Sequence, residues 1–371
     1  MGGDGVMEKG LCELCNPKQW KTVSTSELTS TGYPVYGANG VIGYYSNYNH
    51  EKETLLITCR GATCGTLNIC KPFSYINGNA MALDDLSDEI DIKYLYYFLL
   101  SRGLSDTITG SAQPQIVRQS LKNVRVIYPN LDAQKRIIYV LGKADELLSI
   151  RKQQLAKLDD LVKARFVEMF GDAKLNPNNL PCCSLSEYIV FLTSGSRGWS
   201  QYFTDSGEYF ITIKNVKNCK ITLQDVQCVT PPDNAEAKRT RVQENDLLIS
   251  ITADLGRTGI VTKEIAEHGA YINQHLTCIR LKQDKLNPLY VAYYMESDAG
   301  KEQFIAKNQS AVKAGLNFNA INSLKLMVPP LALQNQFAAF VERADQQKQT
   351  VQQSLEKLEL MKKALMQEYF G

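Results

Sequence analysis

The sequence lacks a strong charge of either sign and lacks any long apolar run. Its 371 residues carry a formal net charge of only +2, whereas nucleic-acid-binding chains often have a strongly basic domain or tail. Any contact with nucleic acid must therefore come from local patches. The longest apolar stretch, around residues 94–100, is far too short to cross a bilayer, and no export signal of the basic-then-apolar type is visible. We therefore expect a cytoplasmic protein without membrane contact.

The motifs of several catalysts are also missing. The sequence has no G-x-x-x-x-G-K-[ST] loop for ATP phosphates and no Asn-Pro-Pro-aromatic tetrad of the kind that holds a base for methylation. The nearest strings, residues 230–233 and 328–331, lack the asparagine amide that grips an exocyclic amine. Ten cysteines predict free thiols in a reducing compartment, and Cys12 with Cys15 forms a single C-x-x-C without a second pair at zinc-ribbon spacing. These absences predict a non-enzymatic chain with no cofactor and no metal.

What the sequence does contain is an internal repeat. A segment of about forty residues occurs twice without a gap, displaced by 200 positions, as Pro129 with Pro329 and Gly171 with Gly371 show. Upstream of each copy the similarity is weaker and its offset drifts: residues 75–77 match 271–273 at a shift of 196. Two globular units therefore share a plan but differ in detail, and each precedes a constant segment.

The constant segments have the pattern of long helices. Apolar residues recur in them at steps of three and four, and each segment follows a proline, so two coiled-coil helices are predicted. Four stripe positions are apolar in one copy and cationic in the other: Leu148 and Lys348, Arg151 and Val351, Val162 and Lys362, Arg165 and Leu365. This difference favours an antiparallel pair within one chain over self-pairing. It is equally consistent with long cationic side chains that lie at the edge of the stripe.

The segments before the helices read as short strands and glycine turns. Residues 31–45 and 54–66 are rich in Tyr, Val, Leu and Gly, and residues 246–259 are the counterpart of the second string. The predicted fold class is α+β, with two mixed α/β domains separated by two long antiparallel coiled-coil helices in a pseudo-twofold repeat. The predicted boundaries are 1–130 for the first domain, 131–171 for the first helix, 172–330 for the second domain and 331–371 for the second helix.

This order of domains and helices resembles the specificity subunits of Type I restriction-modification systems, which have two target-recognition domains and two conserved helical regions. Three features are similar to recurrent motifs of that family. They are the string YPVYGANGVIGYY at residues 33–45, the string GSAQPQI at residues 110–116 and the prolines that precede the helices. The resemblance covers nearly the whole chain. In the second half GSAQPQI is replaced by QSAVKAGL, at residues 309–316, and the GANG turn has no clear copy.

The resemblance implies a subunit that recognises a bipartite site in double-stranded DNA and directs partner proteins. These partners would be modification (methyltransferase) subunits, two in number, and restriction or translocase subunits that join through the complex. Helices of about 40 residues span roughly 60 Å, which is the length of roughly 18 base pairs of duplex DNA. This length suits two DNA-recognising domains that bind about one helical turn apart. The alternative is a coiled-coil scaffold that assembles proteins without reading DNA.

Residues that read base edges are typically planar or bidentate donors, while cations contact phosphates and aromatic residues pack on sugars. The candidates in the first domain are Lys18, Trp20, Lys21, Tyr36, Asn39, Arg60, Gln113, Gln115 and Arg118. The candidates in the second domain are Arg197, Trp199, Lys214, Asn215, Arg239, Arg241, Arg257, Lys313, Asn317 and Asn319.

Overall fold

The structure is a computed structural model that describes residues 5–38, 40–110, 113–308 and 315–371. The chain divides into two compact units. Unit 1 comprises Met1–Gln153 and Val351–Gly371, and unit 2 comprises Gln154–Thr350. Each unit therefore contains a globular part and a portion of each long helix. The four predicted segments describe the order along the chain, and their boundaries stay a prediction.

Unit 1 begins with short strands and helices and leads into the first long helix. Its strands are β1 (Met7–Gly10), β2 (Asn16–Gln19), β3 (Tyr33–Gly37), β4 (Gly40–Tyr45), β5 (Leu55–Thr58), β6 (Leu67–Ile69), β7 (Tyr75–Ile76), β8 (Ala80–Asp84) and β9 (Arg125–Tyr128). Its helices are α1 (Leu11–Leu14), α2 (Ile92–Arg102), α3 (Arg118–Leu121) and the start of α4 (Leu131–Phe170).

Unit 2 has a longer set of elements. Its strands are β10 (Cys182–Ser184), β11 (Ile189–Ser194), β12 (Phe203–Thr204), β13 (Glu208–Ile211), β14 (Val216–Lys217), β15 (Lys220–Ile221), β16 (Gln227–Val229), β17 (Leu247–Ser250), β18 (Thr258–Ile260), β19 (Ala270–Ile272), β20 (Leu276–Leu281) and β21 (Lys325–Met327). Its helices are α5 (Ala235–Thr240), α6 (Lys263–His268), α7 (Pro288–Glu296), α8 (Asp298–Lys307), α9 (Phe318–Asn322) and the start of α10 (Leu331–Phe370).

The two units repeat the same sheet topology. An antiparallel four-stranded sheet has the order β2-β8-β5-β6 in unit 1 and β11-β20-β17-β18 in unit 2. Each unit also has a smaller sheet with one parallel pair, β3 with β7 and β13 with β19, and a two-stranded ribbon, β1-β9 or β10-β21. In unit 2 the smaller sheet has the order β12-β16-β13-β19, and β14 and β15 form a further two-stranded sheet. The predicted α+β repeat is confirmed.

The inner strands of these sheets are short apolar runs that are buried along their whole length. All four residues of β5 are buried, as are all four of β17. Helix α2 covers the first sheet and α7 the second, so each unit encloses its own core. A strand that is buried on both faces has a continuous run of hydrophobic residues in the sequence and not an alternation of hydrophobic and polar residues.

A buried glutamine joins each long helix to its globular part. The side-chain nitrogen of Gln134 donates to the backbone carbonyl oxygens of Glu89 (2.9 Å) and Pro129 (2.8 Å). Its side-chain oxygen accepts from the backbone N–H of Asp91 (2.8 Å). Gln334 makes the corresponding bonds in unit 2, to Lys285, Pro329 and Asn287. Both side chains are fully buried. The repeated Pro-x-Leu-x-x-Gln string therefore encodes a polar anchor.

The long helices pack against each other in opposite directions. In unit 1 the Lys362 ammonium of α10 lies 2.5 Å from Asp145 of α4, and in unit 2 Lys348 lies 2.5 Å from Asp159. Partner numbers fall along α10 as they rise along α4, so the pair is antiparallel. These lysines occupy cationic positions of the predicted stripe, and the side chains of Lys362 and Lys348 are only 21% and 17% exposed, respectively. Their contacts favour the antiparallel pair within one chain over the alternative in which the lysines lie only at the edge of the apolar stripe.

Helix α4 ends at Phe170, and Gly171 follows it. Gly171 has φ +81°, and its amide donates to the Val167 carbonyl at 2.8 Å. This left-handed conformation is typical of the residue that follows a helix and costs glycine little. Among residues with a described placement, no helix is long and apolar enough to cross a membrane.

Candidate nucleic-acid interface

Two loops lie side by side at one end of the four-stranded sheet of unit 1. One follows β5 and the other comprises residues 113–117, which precede α3. Arg60 and Gln115 form an isolated antiparallel bridge, and the Ile116 amide donates to the Cys59 carbonyl at 3.0 Å. Ile116 is buried in the core and so fixes the second loop. The exposed residues Arg60, Gln113 and Gln115 are thereby brought together.

The start of β8 and the end of β2 extend this row of loops. The Cys59 amide donates to the Asn79 carbonyl at 3.0 Å, and the Gln19 side chain donates to the Gly78 carbonyl at 3.2 Å. We call residues 59–61, 78–79 and 113–116 the reading edge of unit 1. It contains three of the predicted candidates.

Lys18 and Trp20 lie at a separate cleft of about 620 Å³. The Lys18 ammonium lies 3.8 Å from the centroid of the Trp20 ring. The indole N–H donates to Asp84 at 3.0 Å, and the His50 imidazole lies 2.8 Å from the other oxygen of that carboxylate. Trp20 is thus held by its neighbours, while Lys18 is exposed.

Unit 2 repeats the loop pairing of the reading edge. Thr252 and Gly315 form an isolated bridge at the place of Arg60 and Gln115. The Leu316 amide donates to the Ile251 carbonyl at 2.9 Å, which matches the bond from Ile116 to Cys59. The backbone arrangement is therefore shared although the side chains differ.

The reading edge of unit 2 comprises residues 194–197, 251–252, 274–275 and 315–316. The backbone N–H of Gln274 donates to the Ser196 carbonyl, and the backbone N–H of Ile251 donates to the His275 carbonyl, both at 3.0 Å. The candidate Arg239 donates to the Ser194 carbonyl at 2.9 Å, and the candidate Arg197 is exposed beside Ser196. Two predicted arginines therefore lie at this edge.

Three candidates are instead part of the protein interior. Tyr36 is 6% exposed, and its hydroxyl accepts from the Lys71 amide at 3.2 Å. Trp199 is 3% exposed and stacks on Phe210, with ring centroids 5.7 Å apart. Asn215 is 4% exposed and bonds the Thr212 amide and the Thr222 carbonyl. Since these side chains fill the core or hold a turn, we exclude them from the proposed interface.

The remaining candidates of unit 1 are separate from the reading edge or outside the described residues. Lys21 is exposed, and its carbonyl accepts from the Tyr75 hydroxyl at 3.0 Å. Arg118 is exposed at the first position of α3. Asn39 lies outside the described residues.

In unit 2, several remaining candidates have partners within the protein. Arg241 is paired with Glu208 at 3.2 Å, and the Arg257 Nε donates to Asp254 at 2.5 Å. Asn317 caps α9 by accepting from the Ala320 amide at 2.8 Å. Lys214 and Asn319 are exposed, and Lys313 lies outside the described residues.

The polar residues Thr252, Gln274 and His275 of the second reading edge were not among the predicted candidates. The Thr252 hydroxyl lies 2.7 Å from Nδ1 of His275, and the Gln274 side-chain nitrogen lies 3.3 Å from Nε2 of the same ring. The repeat itself carried a signal, because residues 271–273 match 75–77. The positions that follow this match lie at the reading edge of both units.

Burial perturbs both thiols of the C-x-x-C pair. Burial raises the pKa of the Cys15 thiol to about 12 and also raises that of Cys12. A thiol with a raised pKa is a poor nucleophile and a poor metal ligand near neutral pH. Over the described ranges, no three His, Cys, Asp or Glu side chains are grouped so that they could hold a metal ion.

Residues 4–160 and 198–360 match the family described as type I restriction modification DNA specificity domain. The chain belongs to this family. The predicted relationship to Type I specificity subunits is thus confirmed, and both matched ranges contain a reading edge or a large part of one.

Two curated relatives illustrate the similarity in sequence. The EcoprrI specificity subunit of Escherichia coli is 30% identical over 115 residues, which are 31% of this chain and 28% of that protein. The MjaVIII specificity subunit of Methanocaldococcus jannaschii is 19% identical over 335 residues, which are 85% of this chain and 78% of that protein. The match to the E. coli protein thus spans less than a third of its length.

Solved structures show the same fold. The S subunit of a Type I restriction-modification system from M. genitalium has a TM-score of 0.64 at 17% identity, covering 100% of this chain and 97% of that one. A chain from a structure on complex assembly and conformational transition of the Type I system has a TM-score of 0.58 at 16% identity, covering 99% and 98%. The whole described fold therefore has the family architecture.

Proposed function

We propose that this chain recognises a bipartite site in double-stranded DNA, one half with each unit, and directs partner subunits that modify or cut the DNA. The observation that carries the proposal is the duplicated reading edge, in which equivalent backbone hydrogen bonds hold two loops at the same end of equivalent sheets. A scaffold that never contacts DNA has no need for this duplication.

The side chains at these edges have the chemistry of base readers. Unit 1 presents Arg60 beside Gln113 and Gln115, and arginine and glutamine form bidentate hydrogen bonds with guanine and adenine, respectively. Unit 2 presents Arg197 and Arg239. Because the net charge of the chain is only +2, these local groups supply the attraction that a basic domain would otherwise provide.

The long helices offer a surface for the modification subunits, of which we propose two. In unit 1, Tyr139 of α4 is 67% exposed, and Leu147 and Ile150 are also exposed. In unit 2, Leu161 and Val167 of the same helix are exposed. Exposed apolar side chains on a helix face are typical of helical interfaces. One such group in each unit supports one modification subunit for each repeat, with restriction subunits joining through the complex.

We further propose that the chain catalyses no reaction, needs no cofactor and acts in the cytoplasm, where its thiols stay reduced. Its missing phosphate-binding and methyltransferase motifs support this division of labour. The purified chain is expected to bind DNA without methylating or cleaving it.

A competition assay tests the proposal. Selection from a random duplex library with the full chain and its modification subunits defines the preferred site, and each half-site is then scrambled in turn. Either change is expected to remove most of the specificity, and added salt is expected to weaken binding steeply. Undiminished specificity after one half-site is scrambled contradicts the two-reader proposal. Retained partner binding without any DNA binding supports the scaffold instead.

A further inference from the structure

The second reading edge contains a short chain of hydrogen-bonded polar side chains. It runs from Gln274 through His275 to Thr252, with separations of 3.3 and 2.7 Å. All three side chains are only half-buried, so they can be reached from the solvent. They lie on two loops that backbone hydrogen bonds join, because the Ile251 amide donates to the His275 carbonyl.

The placement of the Gln274 nitrogen towards the ring gives this chain a consistent set of donors and acceptors. An amide nitrogen can only donate, so the Gln274 side chain donates to Nε2 of His275. Nε2 is then an acceptor, and the proton of the neutral imidazole lies on Nδ1, which donates to the Thr252 hydroxyl oxygen. In this tautomer the histidine ring supports the orientation in which the glutamine nitrogen faces Nε2.

This orientation leaves a specific pair of groups for a ligand. One N–H of the Gln274 amide is used by His275, so its second N–H and its carbonyl oxygen are left side by side. Within the described part of the chain the side chain makes no other hydrogen bond. An adjacent N–H donor and C=O acceptor match N7 and the N6 amino group of adenine in the major groove.

We infer that Gln274 reads an adenine in the half-site of unit 2 and that His275 is a positioning residue that orients its amide. The inference rests on the proposed function, since it takes unit 2 to be a DNA reader. Unit 1 has no equivalent, because Gly78 and Asn79 follow the repeated residues 75–77 where Gln274 and His275 follow 271–273. The two half-sites are therefore read by different chemistry, with Arg60 and Gln115 at the first edge.

The test compares single-base substitutions across the selected site for the full chain and its variants. For Gln274→Ala, the preference for one A·T pair in one half-site is expected to fall about tenfold to hundredfold, while every other position keeps its preference. Gln274→Glu is expected to shift the preference at that pair towards cytosine, whose amino group a carboxylate accepts. Gln224→Ala, a change of an exposed glutamine in the same unit, is the matched control and is expected to alter nothing.

His275 is tested through its coupling to Gln274. His275→Phe is expected to weaken the same A·T preference but to have no further effect on it in the Gln274→Ala background. His275→Gln, which keeps an acceptor near the place of Nε2, is expected to retain most of the preference. A histidine that only supported the fold would lower affinity for all sequences alike and would add its effect to that of Gln274→Ala.

The outcomes separate the two proposals. An unchanged A·T preference in Gln274→Ala, or an equal loss of affinity for every sequence, overturns the role of Gln274 and leaves the bipartite reader intact. A wild-type chain that selects no sequence overturns the proposed function itself. Thermal unfolding of each variant shows whether a loss of binding reflects loss of the folded state.

Discussion

Replacing Gln134 with methionine tests whether the buried glutamine anchors the long helix to the globular part of unit 1. Methionine has a similar length and volume but cannot form the three bonds to Glu89, Pro129 and Asp91. Each buried backbone group left without a partner costs about 1–3 kcal/mol. A buried carbonyl oxygen without a hydrogen bond costs less than a buried N–H without one. We therefore expect the free energy of unfolding of unit 1 to fall by roughly 2–5 kcal/mol.

Urea denaturation gives the overall change, and hydrogen exchange gives a local measurement. Exchange of the Asp91 amide is expected to speed up by about thirtyfold or more, which corresponds to roughly 2 kcal/mol. Gln334→Met is expected to have the same effect on the Asn287 amide in unit 2, because the bonds are equivalent. The control is Gln353→Met, at an exposed position of α10. If Gln134→Met matches this control in both measurements, the anchoring role is refuted.

Four further results are expected. Arg60→Ala is expected to lower binding to the half-site of unit 1 by about 1–3 kcal/mol, measured by competition, with no effect on the other half-site; a uniform loss over all sequences would assign it to a phosphate instead. Gly171→Ala is expected to destabilise unit 2 by at least about 1 kcal/mol, because φ is +81° and a Cβ atom would lie 2.6 Å from Pro177; a thermal midpoint equal to that of the wild type would contradict this. Removing one heptad from each long helix is expected to change the preferred spacer but neither half-site, as site selection would show. Hydrogen bonds from Lys9 and the Tyr128 hydroxyl lower the pKa of Glu89, so its contribution to stability is present near neutral pH and is lost as acid titrates the folded carboxylate; Glu89→Gln is expected to flatten that part of the acid unfolding curve.

The sequence predicted the parts of the fold that a local pattern encodes. The in-register repeat and the heptad stripe define the long helices, and Gly171 marks the end of the first. The sheet order was not predictable, because β5 pairs with β8 and not with the strand that precedes it. Short buried strings specify that a strand is internal, whereas its neighbours depend on packing over the whole domain.

The same distinction explains the candidate residues that turned out to be internal. Trp199 stands between Gly198 and Ser200 and close to Arg197, and such a local string is typical of an exposed loop. Its burial depends on Phe210 and Tyr271, which lie far along the chain. Tyr36 lies beside the glycine turn, but its hydroxyl bonds a backbone amide from another loop. No local pattern reports contacts of this range.

The reading edges show why the proposed contact residues of unit 2 were the hardest to predict. Backbone hydrogen bonds and the buried residues Ile116 and Leu316 hold the loops in both units, so the exposed side chains between them are free to differ. Gly315 and Thr252 stand where unit 1 has Gln115 and Arg60, and polar groups appear instead on the neighbouring loop, at Gln274 and His275. The GSAQPQI string therefore marks the position of the loop in unit 1 but gives no signal for the polar side chains that we propose as DNA contacts in unit 2. The backbone hydrogen bonds that hold the loops do not depend on these side chains. Substitutions there can therefore alter the half-site that one unit recognises without any change in the fold of the other unit.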